Sequence, residues 1–150
     1  MESLSNRLGR HHRECDALFA DAESAVARAD WSLACVRFGA FRAELEGHFA
    51  AEESLLFPRF EAVTGITEGP TRVMRSEHAA MREALARVAD ALARQDADDF
   101  AGEGETLFIL LQQHNMKEES VLYPMCDLRL GAEAATLGER MEHMVEEVRI

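Results

Sequence analysis

The chain repeats itself, and this limits its architecture more than any other feature. A shift of 66 positions lays His48-Phe-Ala-Ala-Glu-Glu-Ser-Leu-Leu-Phe-Pro58 on His114-Asn-Met-Lys-Glu-Glu-Ser-Val-Leu-Tyr-Pro124, with six of eleven positions identical. Leu55/Val121 and Phe57/Tyr123 are close exchanges. The same shift puts Ala25-Val-Ala-Arg-Ala-Asp30 on Ala91-Leu-Ala-Arg-Gln-Asp96 and His12 on His78. It also puts the apolar series Leu8, Cys15, Phe19, Ala22, Val26 on Met74, Met81, Leu85, Val88, Leu92. These apolar positions recur at helical spacing, and no alternating strand pattern competes. Each copy reads as a helical hairpin with one apolar face, and two such hairpins bury those faces by packing into a four-helix bundle.

Local signals set the expected boundaries. A first helix covers roughly residues 3–28. Asp30 caps a second, which Pro58 is expected to close because the residue before a proline is pushed out of the α region. Residues 59–69 read as a loop, with Thr64, Gly65 and Gly69 as breakers. Pro70 suits the first turn of a third helix running to about Gln95. Asp96, Asp98 or Asp99 caps a fourth, expected to end before Pro124, and a short fifth follows Gly131 through Glu133, Met141 and Val148. The expectation is one all-α domain over residues 1–150, an up-down-up-down antiparallel four-helix bundle with a short C-terminal fifth helix. The repeat occupies about 4–58 and 70–124.

Composition narrows the function. The 150 residues suit one domain, and 47% apolar content supports a core. The net charge of −12 argues against a nucleic-acid partner and against an anionic membrane surface. No apolar run is long enough to span a bilayer, and the start Met1-Glu2-Ser3-Leu4-Ser5 lacks a signal-peptide pattern. Cys15, Cys35 and Cys126 cannot all pair with one another and form no CxxC, so a reducing cytoplasm is the expected location.

The histidines carry the chemistry. Thirty-six residues separate His12 from His48, and 36 separate His78 from His114. Each pair flanks a hairpin turn, at Asp30 or Asp96, so equal rise along two antiparallel helices brings its members to one height, about 27 Å from the turn at ~1.5 Å per residue. Glu52 and Glu118 follow His48 and His114 by four residues and share their helix faces. Those faces are also apolar: Phe41, Leu45, Leu55 and Leu56 flank His48, and Leu107, Leu110, Leu111, Val121 and Leu122 flank His114. Ionised glutamates in such a core are costly unless a cation accompanies them.

Imidazole and carboxylate without thiolate suit iron, manganese or zinc. Six donors exceed the needs of one tetrahedral zinc and fit two cations, each with two histidines, bridged by Glu52 and Glu118. A bridging oxo or hydroxo group and an open position complete such a centre. His11 competes with His12, but only His12 aligns with His78, leaving His11 as a boundary residue. His143 lies outside the repeat and reads as a surface residue. Met74, Met81 and Met116 read as core packing, and Cys15 as a buried thiol, with lining the cavity as the alternative. Glu53 and Glu119, turned about 100° from the proposed ligands, read as supporting or surface groups, or as bridges if the register slips. No ExxH, HExxH, GxSxG or phosphate-binding glycine loop is present.

His12, His48-xxx-Glu52 with Leu56-Phe57-Pro58, Glu77-His78, and His114-xxx-Glu118 with Leu122-Tyr123-Pro124 resemble the hemerythrin-like (HHE cation-binding) domain over about residues 4–126. The resemblance implies a four-helix bundle holding two non-haem iron ions, with zinc or manganese as substitutes. The implied ligands are His12, His48, Glu52, His78, His114 and Glu118. Oxygen-carrying hemerythrins have a second histidine one turn from the third-helix one, where this chain has Met74 and Arg82, and an aspartate five residues after the fourth-helix histidine, where this chain has Glu118 at four. The pattern is similar to the symmetric four-His, two-Glu set of bacterial di-iron proteins implicated in iron–sulfur cluster repair, and of an iron-sensing domain in a eukaryotic ubiquitin ligase. The expected function is metal-ion binding coupled to iron, O2 or NO sensing, iron handling or stress-related repair of iron centres. The alternative is a redox enzyme acting on nitric oxide or peroxide. Expected partners are metal ions with O2 or NO, and the sequence names no protein partner.

Overall fold

The computed structural model describes residues 2–148, and no strand occurs among them. Ser3 starts α1 (Leu4–Ala27), its side chain accepting the Asn6 N–H. The Asp127 carboxylate adds a second cap, accepting the Leu4 and Ser5 N–H groups at 2.8 and 3.1 Å. A negative charge there satisfies free amides and complements the helix dipole. Asp30 caps α2 (Trp31–Ala51) through the Leu33 N–H, and Asp96 caps α5 (Ala97–Lys117) through the Asp99 N–H. Between them lie α3 (Phe57–Thr64) and α4 (Pro70–Ala93), and α6 (Tyr123–Leu130) and α7 (Glu133–Val148) follow.

The two hairpin turns are built alike. Ala29 and Gln95 take left-handed φ values of 56° and 54°. Asp30 N–H reaches Ala25 O at 3.0 Å, and Asp96 N–H reaches Ala91 O at 3.0 Å. This six-residue closure ends a helix by satisfying carbonyls that its last turn leaves free. α1 packs on α2 and α5, and α4 packs on α5 and α2, closing a ring of four helices. The all-α bundle is as expected, and α7 lies across α2, α1 and α6.

Two expected boundaries are wrong. Pro58 does not close the second helix, residues 59–64 are helical rather than looped, and the fourth helix does not end before Pro124. Instead a single π-turn, Glu52–Leu56 or Glu118–Leu122, joins α2 to α3 and α5 to α6. Phe57 N–H bonds to Glu52 O and Tyr123 N–H to Glu118 O, each across five residues. A proline in an α-helix removes a donor and crowds the carbonyl four residues back. The widened turn immediately before it relieves that demand, so the chain passes through each proline as helix. Every element from Leu4 to Thr64 consequently recurs 66 residues later, up to Leu130. Gly65 and Gly131 end the two extensions at φ 73° and 57°.

Two apolar clusters fill the interior. Phe19, Phe38, Phe41, Leu85, Phe100 and Leu107 lie in the one toward the hairpin turns. Leu56, Phe57, Phe60, Leu122, Tyr123 and Met141 belong to the other, toward α7. Met74 and Met81 are buried as expected, but Met116 is 67% exposed and Val121 52% exposed. The π-turn rotates Val121 off the inward face that uniform α spacing assigned to it.

Candidate metal centre

Between these clusters all six sequence-predicted residues converge. His12, His48, Glu52, His78, His114 and Glu118 are each 5% exposed or less. Donor atoms of Glu52, His78, His114 and Glu118 lie within 4.8 Å of one another, as do those of His12, His48 and Glu118. His78 Nε2 is 3.1 Å from Glu52 Oε1, and His48 Nε2 is 3.6 Å from Glu52 Oε2. Glu118 Oε1 is 3.1 Å from His12 Nε2 and 3.2 Å from His114 Nε2. Each carboxylate thus spans one histidine from each hairpin. Glu52 Oε1, His78 Nε2, His114 Nε2 and Glu118 Oε2 are buried and make no hydrogen bond within the chain. Buried polar atoms rarely go unpaired, and four aimed at one point are what a cation site presents.

The outer ring nitrogens explain how the inner ones are aimed. Nδ1 lies 2.8 Å from Glu119 in His12, 2.7 Å from Glu53 in His78 and 2.9 Å from Glu77 in His114. A neutral ring that donates its Nδ1–H to a carboxylate keeps the Nε2 lone pair free and pointing inward. His48 differs, because its Nδ1 meets His11 Nδ1 at 2.8 Å and His11 Nε2 meets Glu44 at 2.6 Å. Glu44 accepts from His11 Nε2–H, so His11 Nδ1 accepts from His48 Nδ1–H and the inward tautomer is the same. The 66-residue shift relates Glu53 to Glu119 and His11 to Glu77. His11 is therefore no boundary residue but the counterpart of Glu77. Glu53 and Glu119 each meet the outer nitrogen of a histidine. The repeat itself could have revealed Glu77, whereas Glu44, which Leu110 replaces in the second copy, left no such signal.

Tyr123 is the site residue that sequence reasoning missed. Its hydroxyl is buried 2.7 Å from Glu52 Oε2 and 2.9 Å from Glu118 Oε1. It also lies 3.1 Å from His12 Nε2 and 3.2 Å from His48 Nε2. In a uniform α-helix, position i+5 is turned about 140° from i at 100° per residue. The π-turn returns Tyr123 to the face of Glu118.

Charge follows this packing. Burial pushes the His12 imidazole down, but Glu118 and Glu119 outweigh it and raise it to about 9. The same opposition, with Glu118 foremost among the raising partners, raises His114. Burial and the adjacent His48 hold His11 down at about 4, keeping it neutral. Burial also opposes ionisation of Glu52, yet His48 and the surrounding hydrogen bonds hold it well below the usual carboxylate range. Burial first, then Glu118 and Glu52, pushes the Tyr123 phenol well above its usual value. Beyond the centre, a cavity of about 50 Å³ touches His11 and His48 and is bounded by Arg7, Leu8, Met141 and Val145. His143 is exposed, as expected, and Cys15 is buried.

A four-helix bundle with inward histidines and carboxylates is the class of cation-binding helical protein. The family description "Hemerythrin HHE cation binding domain" matches residues 3–126, and the chain belongs to that family. No curated protein and no solved structure matched it significantly. Membership implies binding of a metal cation, and the His/Glu cluster could hold one. No helix among the described residues is long and apolar enough to cross a membrane.

Proposed function

We propose that the chain, acting as a single domain, is a di-iron protein of the symmetric four-His, two-Glu kind. His12 and His48 would hold one cation and His78 and His114 the other, with Glu52 and Glu118 shared between them. The observation that carries this reading is the convergence of the six side chains on a buried point where four polar atoms lack a hydrogen-bond partner. The nitrogen and carboxylate donor set suits iron, with manganese or zinc as substitutes. When bound, the iron pair supplies redox capacity and an open position for O2 or NO.

The protein's own part is to hold and screen. Glu119, Glu53, Glu77 and His11 fix the ring orientations. Phe49 stacks on His78 at 4.0 Å and keeps water from that side. The resulting function is sensing or handling of iron, O2 or NO, including stress-related iron-centre repair, in the cytoplasm. Three free cysteines suit that reducing location.

The test is metal analysis of the full chain purified from iron-supplemented cells, beside a His48→Ala/His114→Ala variant. Two irons per wild-type chain and strong depletion in the variant are expected. A wild-type content well below two overturns the di-iron reading. Turnover of nitric oxide or peroxide by the loaded protein would replace sensing with the enzymatic alternative.

A further inference from the structure

We infer that the Tyr123 hydroxyl is a direct donor to the cation held by His12 and His48, which makes the two cations of the centre chemically unlike. The inference rests on the two-cation reading above and adds a ligand to it.

A phenol oxygen offers one proton and two lone pairs. Around Tyr123 Oη stand four polar atoms between 2.7 and 3.2 Å: Glu52 Oε2, Glu118 Oε1, His12 Nε2 and His48 Nε2. The outer hydrogen bonds of His12 and His48 aim both Nε2 atoms at this oxygen, and both glutamates present acceptors. One proton can serve one of the four. The other three face oxygen lone pairs in a buried site, an arrangement that costs free energy unless positive charge, an imidazolium proton or a bound cation, sits among them. A cation among two nitrogens and three oxygens resolves the conflict. In binding it the phenol releases its proton, which leaves the site as the metal–oxygen bond forms.

The repeat supplies an internal control. The 66-residue shift places Tyr123 on Phe57 and His12 on His78. The Tyr123 ring lies 5.6 Å from His12, and the Phe57 ring lies 5.6 Å from His78. The two halves differ at this place by one hydroxyl. The His78/His114 cation therefore has one protein donor fewer, and the position open to a small diatomic molecule falls on that side.

Tyr123 is the only tyrosine in the chain, so a phenolate signal has a single source. The full chain is loaded with ferric iron, and visible absorption and resonance Raman spectra are recorded beside metal content. Two irons per chain with a phenolate-to-iron charge-transfer band and tyrosinate ring modes are expected. Tyr123→Phe is expected to keep its helicity and to lose both signals when they are read per iron bound. Two irons without phenolate modes in the wild type, or an unchanged band in Tyr123→Phe, overturn the inference and leave the di-iron reading standing. One metal per chain without phenolate modes overturns both, with the hydroxyl standing in for the second cation. Should Tyr123→Phe fail to fold, wild-type protein loaded with gallium(III) decides: a near-ultraviolet tyrosinate difference signal supports ligation, and its absence overturns it.

Discussion

Single side chains set the character of the centre. Glu119 is a partly exposed carboxylate and the Nδ1 partner of His12. Replacing it with alanine frees that ring to rotate and lowers its basicity as a donor. Glu119→Ala is expected to weaken iron binding about 10- to 100-fold with unchanged helicity, measured by competition with a chelator of known affinity. Thiol chemistry separates three residues of one type. Cys35 is exposed, while Cys15 and Cys126 are buried, and burial with the nearby Asp127 pushes the Cys126 thiol up to about 12. Since the thiolate is the reactive form, a thiol reagent should modify Cys35 alone in the native protein and all three only after denaturation. Equal rates at all three would contradict this packing.

At the scale of elements, the π-turns decide most. They carry the helices through Pro58 and Pro124, bring Phe57 and Tyr123 under the histidines, and let α3 and α6 form the far wall of the site. α3 is fastened to α4 by Glu61, which accepts from the buried Thr71 hydroxyl at 2.6 Å and pairs with Arg75. Arg75 foremost, then Thr71, holds the Glu61 carboxyl below its usual value against a smaller opposing effect of burial. A depressed carboxyl stabilises the fold above its unfolded value near 4.5, and the stabilisation is lost as pH falls through the lower folded value. Glu61→Gln keeps an acceptor for Thr71 and removes the charge. Urea unfolding is expected to show wild type about 1 kcal/mol more stable near neutrality, because Arg75 is partly solvated, with the difference vanishing in strong acid. A constant difference across pH would assign the effect to packing instead.

At the scale of the molecule, the bundle and the proposed metal centre stabilise each other. Ligands brought together only by folding make cation binding a source of folding free energy. At a free metal concentration a thousandfold above Kd, the gain is about 4 kcal/mol per site, so calorimetry should show the unfolding temperature rising on loading and falling on chelation. Acid should release the metal, because protons compete for the imidazoles. α7 contributes by covering the cavity beside His11 and His48. Met141, 1% exposed, is its central anchor in the second apolar cluster. Met141→Ala is expected to cost about 2–5 kcal/mol in denaturant unfolding, and a loss below 0.5 kcal/mol would mean α7 is dispensable to the core.

Much of this was legible in the chain alone, because a duplicated hairpin is a symmetry that side-chain spacing records. The 36-residue separations and the HxxxE pairs picked out six side chains that converge in the interior, and the bundle around them, since helix periodicity is a local property. The sequence did not reveal where periodicity changes. A π-turn leaves no residue pattern beyond the proline that follows it, and with uniform α spacing Pro58 and Pro124 read as ends and no site role fell to Tyr123. His11 and Glu44 were hidden for a different reason, since the run from His48 through His11 to Glu44 joins the two helices of the first hairpin with residue types that the second copy does not keep. Local spacing determined which residues face inward. Only tertiary packing, which sets distances between atoms far apart in the chain, decided what each inward atom meets.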